Sequence, residues 1–257
     1  MSKDTEKFDK KLLNILNSSA SAKAWSDLLP INKEILSHLN KYKKDIYFAK
    51  ISNKLMLSKR LAQCLNPEFP HGVHEVVLEI YRILISNIMQ GHEQKLLDNL
   101  SLFACGLFPF FANASIQNKK KFLNDIIKEN LLSLNINELI QCFPGLLASL
   151  IPGLDENNES TTKDIFQTFN DFIVKLGKKN FYGVYWTLIL RNEHLRASGI
   201  KFLIEKVIKY SEYVKLSEEE KKEIIDNYYP NINTVVVNAL CEVIKEEDIP
   251  TVRNGMD

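Results

Sequence analysis

The sequence predicts an all-α fold, an α-solenoid of HEAT- or armadillo-like helical hairpins. Three observations carry that prediction. Apolar residues recur with a period near 3.6 along almost all of the 257 residues. Only 9 glycines and 8 prolines punctuate them, so the segments between breaks are long. No alternating strand pattern of useful length appears. Hydrophobic residues make up 45% and charged residues 25%. That is an ordinary globular composition, and it excludes disorder, collagen and a disulfide scaffold.

The elements follow in order. Phe8, Leu12, Ile15 and Leu16 make one short helical face. Trp25, Leu28, Leu29, Ile35, Leu36 and Leu39 make a second, which Pro30 should kink or split because it removes a donor. Leu57, Leu61, Cys64 and Leu65 share the next stripe. Asn66-Pro67-Glu68-Phe69-Pro70-His71-Gly72 then stops any helix. Val73, Val77, Ile80, Leu84 and Ile88 follow, ending near Gly91. Phe122, Ile126 and Ile127 sit behind an exposed Lys119-Lys120-Lys121 start. Leu139, Ile140, Phe143, Leu146, Leu147 and Leu150 line another helix, and Asp155 to Thr162 reads as the clearest loop. Ile165, Phe166, Phe169, Phe172, Ile173 and Leu176 are amphipathic, with Gly177 a natural C-cap. Phe181, Val184, Tyr185, Leu188 and Ile189 come next, then Leu195, Ile200, Leu203, Ile204 and Val207. Ser217 before Glu218, Glu219 and Glu220 marks a capped helix start. Val235-Val236-Val237 is β-branched, but Val236, Leu240, Val243 and Ile244 continue at helical spacing and favour helix.

No long linker separates halves, so residues 1–257 read as a single domain. A faint internal echo supports stacked repeats. Glu193, Leu195 and Arg196 precede an apolar helix, and Glu247-Asp248-Ile249-Pro250-Thr251-Val252-Arg253 has the same acidic-turn, aliphatic, arginine layout. In a solenoid each hairpin buries its face on its neighbours. The sequence ends at Asp257 just as a further helix begins, which suggests a piece of a much longer solenoid.

The 33 basic and 32 acidic residues nearly cancel, giving a net charge of +1. This argues against a nucleic-acid-binding domain. The N-terminus MSKDTEKFDKK lacks the apolar core of a signal peptide. Cys64, Cys105, Cys142 and Cys241 form no CxxC pair and read as reduced, packed thiols of a cytosolic chain. The sequons at Asn17, Asn99, Asn113 and Asn158 then read as chance. Two uncharged stretches, Asn99 to Asn118 and Leu139 to Leu154, are polar in part and broken by proline. Helices buried on most sides explain them better than membrane spans.

Catalytic and ligand motifs are missing. His74-Glu75 opens an HExxH-like run, but Leu78 stands where the second histidine belongs. His92-Glu93 fails in the same way at Leu96. The His71/His74 pair reads as a surface or capping pair. No glycine spacing makes a GxGxxG or P-loop, and no GxSxG occurs. No metal or cofactor site is expected, and no enzyme. Phe181, Tyr182, Tyr185 and Trp186 lie between Lys178-Lys179 and Arg191, a set that could stack bases. Helical spacing turns Phe181 and Tyr185 inward and favours core packing. Lys41, Lys43, Lys44, Lys50 and Lys54 form the densest basic stretch, which could meet anionic lipid or remain a solvated face.

The stretch Lys59-Arg60-Leu61-Ala62-Gln63-Cys64-Leu65-Asn66-Pro67-Glu68-Phe69-Pro70-His71-Gly72-Val73-His74, with Leu78-Glu79 and Tyr81 behind it, is distinctive. It resembles the N-terminal domain of Dopey-family proteins. Gly106-Leu107-Phe108-Pro109 looks like the family's next block. Pro144-Gly145-Leu146 with Pro152-Gly153-Leu154 looks like its twin P-G-L block, and Trp25 with Asp27-Leu28 fits an early W-x-D-L segment. The similarity runs from about Phe8 to the C-terminus. The family tends to carry basic residues just after G-V-H, where this chain has Glu75 and Val76, and a proline-containing turn where it has Ala197-Ser198.

The resemblance implies a very large cytosolic protein, peripheral on Golgi and endosome membranes, that acts as a non-enzymatic scaffold in vesicle traffic. The partners it implies are an Arf-exchange-factor-like scaffold, a lipid flippase of the P-type ATPase superfamily and, for some members, kinesin light chain and phosphoinositide-bearing membranes. The alternative is a peripheral domain that recognises anionic lipid headgroups through lysines at 41–54 and 119–121. In the hallmark block, Lys59 and Arg60 are expected near a helix C-terminus, where cations are favoured. Pro67 and Pro70 should fix the turn, and Gly72 should allow close approach to the next helix. The block either locks one hairpin or also presents Lys59, Arg60, Gln63 and His71 as a polar rim for a partner.

Overall fold

The computed structural model describes residues 3–19, 22, 24–42, 51–89, 93–155, 159–206 and 210–245, with backbone only at 3–5, 87–89, 93–99 and 210. Among them every regular element is helical. The echo partner Glu247–Arg253 and Lys43, Lys44, Lys50, Gly91, His92 and Val207 lie outside the described residues. By contact density the chain forms two compact units, Met1–Cys142 and Phe143–Asp257.

The first unit contains α1 (Lys3–Ser18), α2 (Trp25–Lys41), α3 (Lys54–Cys64), α4 (His71–Met89), α5 (Glu93–Asn113), α6 (Ile116–Lys121) and the start of α7 (Ile136–Leu150). The apolar period of each helix decides its buried face. Leu57, Leu61 and Cys64 of α3, and Val73, Val77, Ile80 and Leu84 of α4, are buried. α2 packs on α4, α3 on α5, and α4 on α5 and α6. Phe122, Leu123, Ile126 and Ile127 are buried as expected, but on a π-helical stretch, Phe122–Lys128.

Three prolines sit within helices, and of the kink or split expected at Pro30 the split does not occur. Pro30 lies inside α2, Pro109 inside α5 and Pro144 inside α7, and each helix runs on past it. Pro30 sits only six residues into α2, so its missing donor forfeits a single bond near the helix start and does not split the helix. The lysine start of α6 is not uniformly exposed. Lys119 is buried, with its ammonium 5.5 Å from the Phe111 ring and 3.5 Å from the Ala112 carbonyl.

The second unit contains the end of α7, a 3-10 turn at Ile151–Asp155, α8 (Glu159–Leu176), α9 (Lys178–Arg191), α10 (Arg196–Lys206), α11 (Tyr210–Tyr213), α12 (Glu218–Tyr228) and α13 (Val237–Ile244). α9 is central: α8, α10, α12 and α13 all pack on it. Gly177 separates α8 from α9 at φ 81°, where a side chain would be strained, and its N–H donates to Ile173 O at 2.9 Å. Ser217 caps α12 in a capping box with Glu220. The polar stretch read as a loop is shorter than expected, because α8 already begins at Glu159. Ile232–Val236 is π-helical and leads into α13, so the valine run is helix.

Candidate interaction surface

The hallmark block folds as α3, a tight turn and the first turn of α4. Its geometry is built from inside outward. Leu57, Leu61, Cys64 and Leu65 anchor α3 in the core. The Ser58 hydroxyl adds a bond across to α5, donating to Leu102 O at 2.7 Å. Asn32 of α2 lies 3.4 Å from the Cys64 sulfur, and burial pushes that thiol's pKa up.

The turn closes on Asn66. Its side-chain oxygen accepts from Glu68 N at 3.0 Å, and its carbonyl accepts from Phe69 N at 3.0 Å. The same carbonyl accepts a second bond, at 2.8 Å, from His74 Nε2. His74 is buried, and its ring meets Phe110 edge-on at 5.0 Å. Burial pulls its pKa down, against the raising effect of the Asn66 carbonyl. The surface reading of His74 is therefore corrected: the histidine of G-V-H pins the turn to the helix.

Two other expectations are corrected. The last turn of α3 holds no basic residue, and the helix ends at Cys64. Lys59 and Arg60 stand a turn too early for the helix dipole to act on them. Gly72 makes no close approach, since a β-carbon there would meet nothing within 4 Å. The glycine that permits contact is Gly106, where a β-carbon would lie 2.5 Å from Ala62 Cβ. The A of K-R-L-A and the G of G-L-F-P are thus a matched pair where α3 meets α5.

The four rim candidates are placed as follows. Lys59 and Gln63 are exposed, and Arg60 and His71 are half-buried. Arg60 Nη1 donates to Gln63 Oε1 at 3.0 Å, which holds the guanidinium along α3. His71 stands apart from that pair, at the start of α4 near Glu75 and His74. Its Nε2 is buried with no hydrogen-bond partner among the described residues.

Sequence reasoning missed the charged seam beside His71. Glu75 pairs with Lys121 at 2.7 Å, and that hydrogen bond and charge hold the Glu75 carboxyl below the usual range. Arg82 pairs with Glu79, donating from Nε at 2.9 Å, which raises the guanidinium pKa. Asp125 is raised by burial and by the charge of Glu129. Glu75 and Lys121 are 46 positions apart, so no local spacing announces them.

The aromatic set of α9 is core. Phe181, Tyr182, Tyr185 and Trp186 are all buried. Tyr185 donates to Gly199 O at 2.9 Å and Trp186 Nε1 to Tyr228 O at 2.8 Å. Their faces are not open to a base. Among the described residues no group of three or more His, Cys, Asp or Glu could hold a metal ion. No described helix is long and apolar enough to cross a membrane.

A family model described as "Dopey, N-terminal" matches residues 2–257. The chain belongs to the Dopey family. Dopey relatives resemble it from end to end. It is 27% identical over 253 residues to Protein DOP1B of Mus musculus, covering 97% of this chain and 10% of that protein. It is 28% identical over 247 residues to Protein pad-1 of Caenorhabditis elegans, covering 96% and 9%. It is 27% identical over 255 residues to Protein DOP1 homolog of Drosophila melanogaster, covering 97% and 9%. The chain thus spans about a tenth of the length of these relatives.

Proposed function

We propose that this Dopey domain is a non-enzymatic scaffold in endosome–Golgi vesicle traffic. Its helices are read as stacked HEAT-like hairpins whose outer faces bind protein partners, with no cofactor. The observation that carries the reading is the division of labour inside the hallmark block. Ala62, Cys64, Asn66 and His74 are spent on internal contacts, whereas Lys59 and the Arg60–Gln63 pair face outward on the same hairpin. A rigid hairpin with an ordered polar rim suits recognition of an acidic partner surface. The family resemblance makes an Arf-exchange-factor-like scaffold the first partner to test, ahead of a lipid flippase or kinesin light chain.

Direct binding to anionic lipid is the weaker reading. Of its second lysine cluster, Lys119 is buried and Lys121 is held by Glu75. The test is Lys59→Glu with Arg60→Glu, read by binding to the purified Arf-exchange-factor-like partner and by melting temperature. Loss of binding at unchanged melting temperature is the expected result. Intact binding with a lowered melting temperature would refute the rim. Salt-sensitive flotation with phosphoinositide liposomes, lost in the same variant, would move the reading to lipid.

A further inference from the structure

The second unit holds a groove of about 520 Å³, a size typical of ligand pockets. Its walls come from the start of α9, the end of α10, α11 and one face of α12. Glu220, Glu223, Ile224 and Tyr228 recur at spacings of three and four, which sets them together on that face. No residue of α12 is buried, so the helix is not spent on the core. Leu216, Ile224 and Tyr228 are half-buried and give the groove an apolar floor.

The charges around that floor are unevenly committed. Lys178 turns onto Tyr228, with its ammonium 5.0 Å from the ring centroid, and Lys206 turns onto Phe166 at 5.6 Å. The Glu220 carboxylate accepts from Ser217 N and Ser217 Oγ, both at 2.8 Å, and serves the cap of α12. Glu205, Glu212 and Glu223 are exposed and have no hydrogen-bond or ion-pair partner among the described residues. These three do not converge on one point, since no group of three or more His, Cys, Asp or Glu among the described residues could hold a metal ion. Carboxylates spread around an apolar floor suit separate cations carried along one chain, with an aliphatic side chain between them.

We propose that this groove docks a basic peptide segment of a protein partner. One aliphatic residue of the segment sits on Leu216, Ile224 and Tyr228, and flanking arginine or lysine side chains meet Glu205, Glu212 and Glu223. Charge complementarity selects this occupant, because an acidic segment would face three unpaired carboxylates. The site is independent of the rim on α3, which lies in the other unit and suits the opposite charge.

The probe is the capped peptide acetyl-Arg-Leu-Arg-Arg-amide, titrated into the isotope-labelled 257-residue chain and followed by amide NMR shifts. Saturable shifts centred on Leu216, Glu223 and Ile224 are expected, and they should weaken with added salt. Glu212→Lys with Glu223→Lys should lower the affinity at least about tenfold at unchanged melting temperature, since both side chains are exposed and unpaired. Should that variant melt early, Glu212→Gln with Glu223→Gln decides, and a clear loss of affinity is again expected. The same peptide with glutamate for each arginine should not bind, and alanine for its leucine should bind more weakly. Absence of saturable shifts at millimolar peptide, or shifts centred outside the groove, overturns the proposal. So does equal affinity for the acidic peptide, for the alanine peptide or in the folded glutamate variants.

Discussion

The hairpin of α3 and α4 and the central helix α9 hold their neighbours by different means. At α3 the packing is aliphatic and close. Ala62 and Gly106 let two helix backbones approach, and polar pins from Ser58 and His74 set the register at either end. At α9 the packing is aromatic. Phe181 stacks on Tyr185 at 5.7 Å, and Phe202 meets Phe169 edge-on at 5.0 Å and Tyr185 at 5.3 Å. Rings fill the space that backbone proximity fills in the first unit. The first arrangement tolerates no added atom at its contact, and the second tolerates no lost one.

The largest effect follows from removing a ring. Phe181 is fully buried and meets Phe143, Phe169, Tyr182, Tyr185 and Phe202. Phe181→Ala should cost about 3–5 kcal/mol, because rigid neighbouring rings cannot collapse into the cavity. Urea unfolding measures it. A loss below about 1 kcal/mol would mean that the cluster repacks, and that the contrast with α3 is false.

The next effect comes from adding a methyl group in each unit. At Gly106 the new β-carbon meets Ala62 Cβ at 2.5 Å and Ala62 Cα at 3.0 Å, so a backbone has to move. At Gly199 it meets Ile189 Cδ1 at 2.0 Å, the end of a buried side chain and not a backbone atom. Gly106→Ala should therefore lose about 1–3 kcal/mol to overpacking. Gly199→Ala should come out near neutral, since alanine's helix preference offsets up to about 1 kcal/mol of crowding. Adding Ala62→Gly to Gly106→Ala should recover part of the loss. Strict additivity of the two changes would place the strain elsewhere.

This contrast also shows which parts of the molecule local sequence can announce. Gly177 and Ser217 act on their own helix ends, within four residues, and both were readable. So was the buried face of α4, because a 3.6-residue period is a property of one helix; on α9 the stripe of Phe181, Tyr185 and Ile189 was readable, but not the burial of Tyr182 and Trp186 by further neighbours. Gly72 and Gly106 were not distinguishable. Close approach depends on which helix arrives opposite, and Gly72 faces open space. The split allowed for at Pro30 did not occur, and Pro109 shows a related dependence on the fold. A single missing donor looks like a break in isolation, yet burial of Phe108, Phe110 and Phe111 around Pro109 keeps α5 continuous. Lys119 looked like solvent because of its charge, and only the fold brings the Phe111 ring to it. The family resemblance located the hallmark block but not its purpose. The pinning role of His74 needed the turn carbonyl of Asn66 in space.

The smallest effect concerns the histidine pins of the first unit, where the ring cluster uses Tyr185 and Trp186 as its donors. His38 stacks on Phe8 at 4.6 Å and shares a 3.1 Å hydrogen bond with its carbonyl, as His74 does with Asn66. Burial is the main cause lowering both pKa values below 6.5. The unfolded chain therefore takes up protons near pH 6.5 that the folded chain refuses. Stability is full above that pH and falls as pH drops through 6.5 toward the lower folded values. Glu75 acts in the same direction in a more acidic window: its carboxyl pKa is lowered from 4.5, so its contribution is lost as pH falls below that value. His74→Gln keeps an N–H for the Asn66 carbonyl but cannot titrate. It should cost about 1 kcal/mol at pH 8 and flatten the fall in stability between about pH 7 and 5. His38→Gln should remove most of the remaining slope in that window. Denaturant midpoints at several pH values measure both, and an unchanged slope in the double variant would show that these two histidines titrate alike in the folded and unfolded chain.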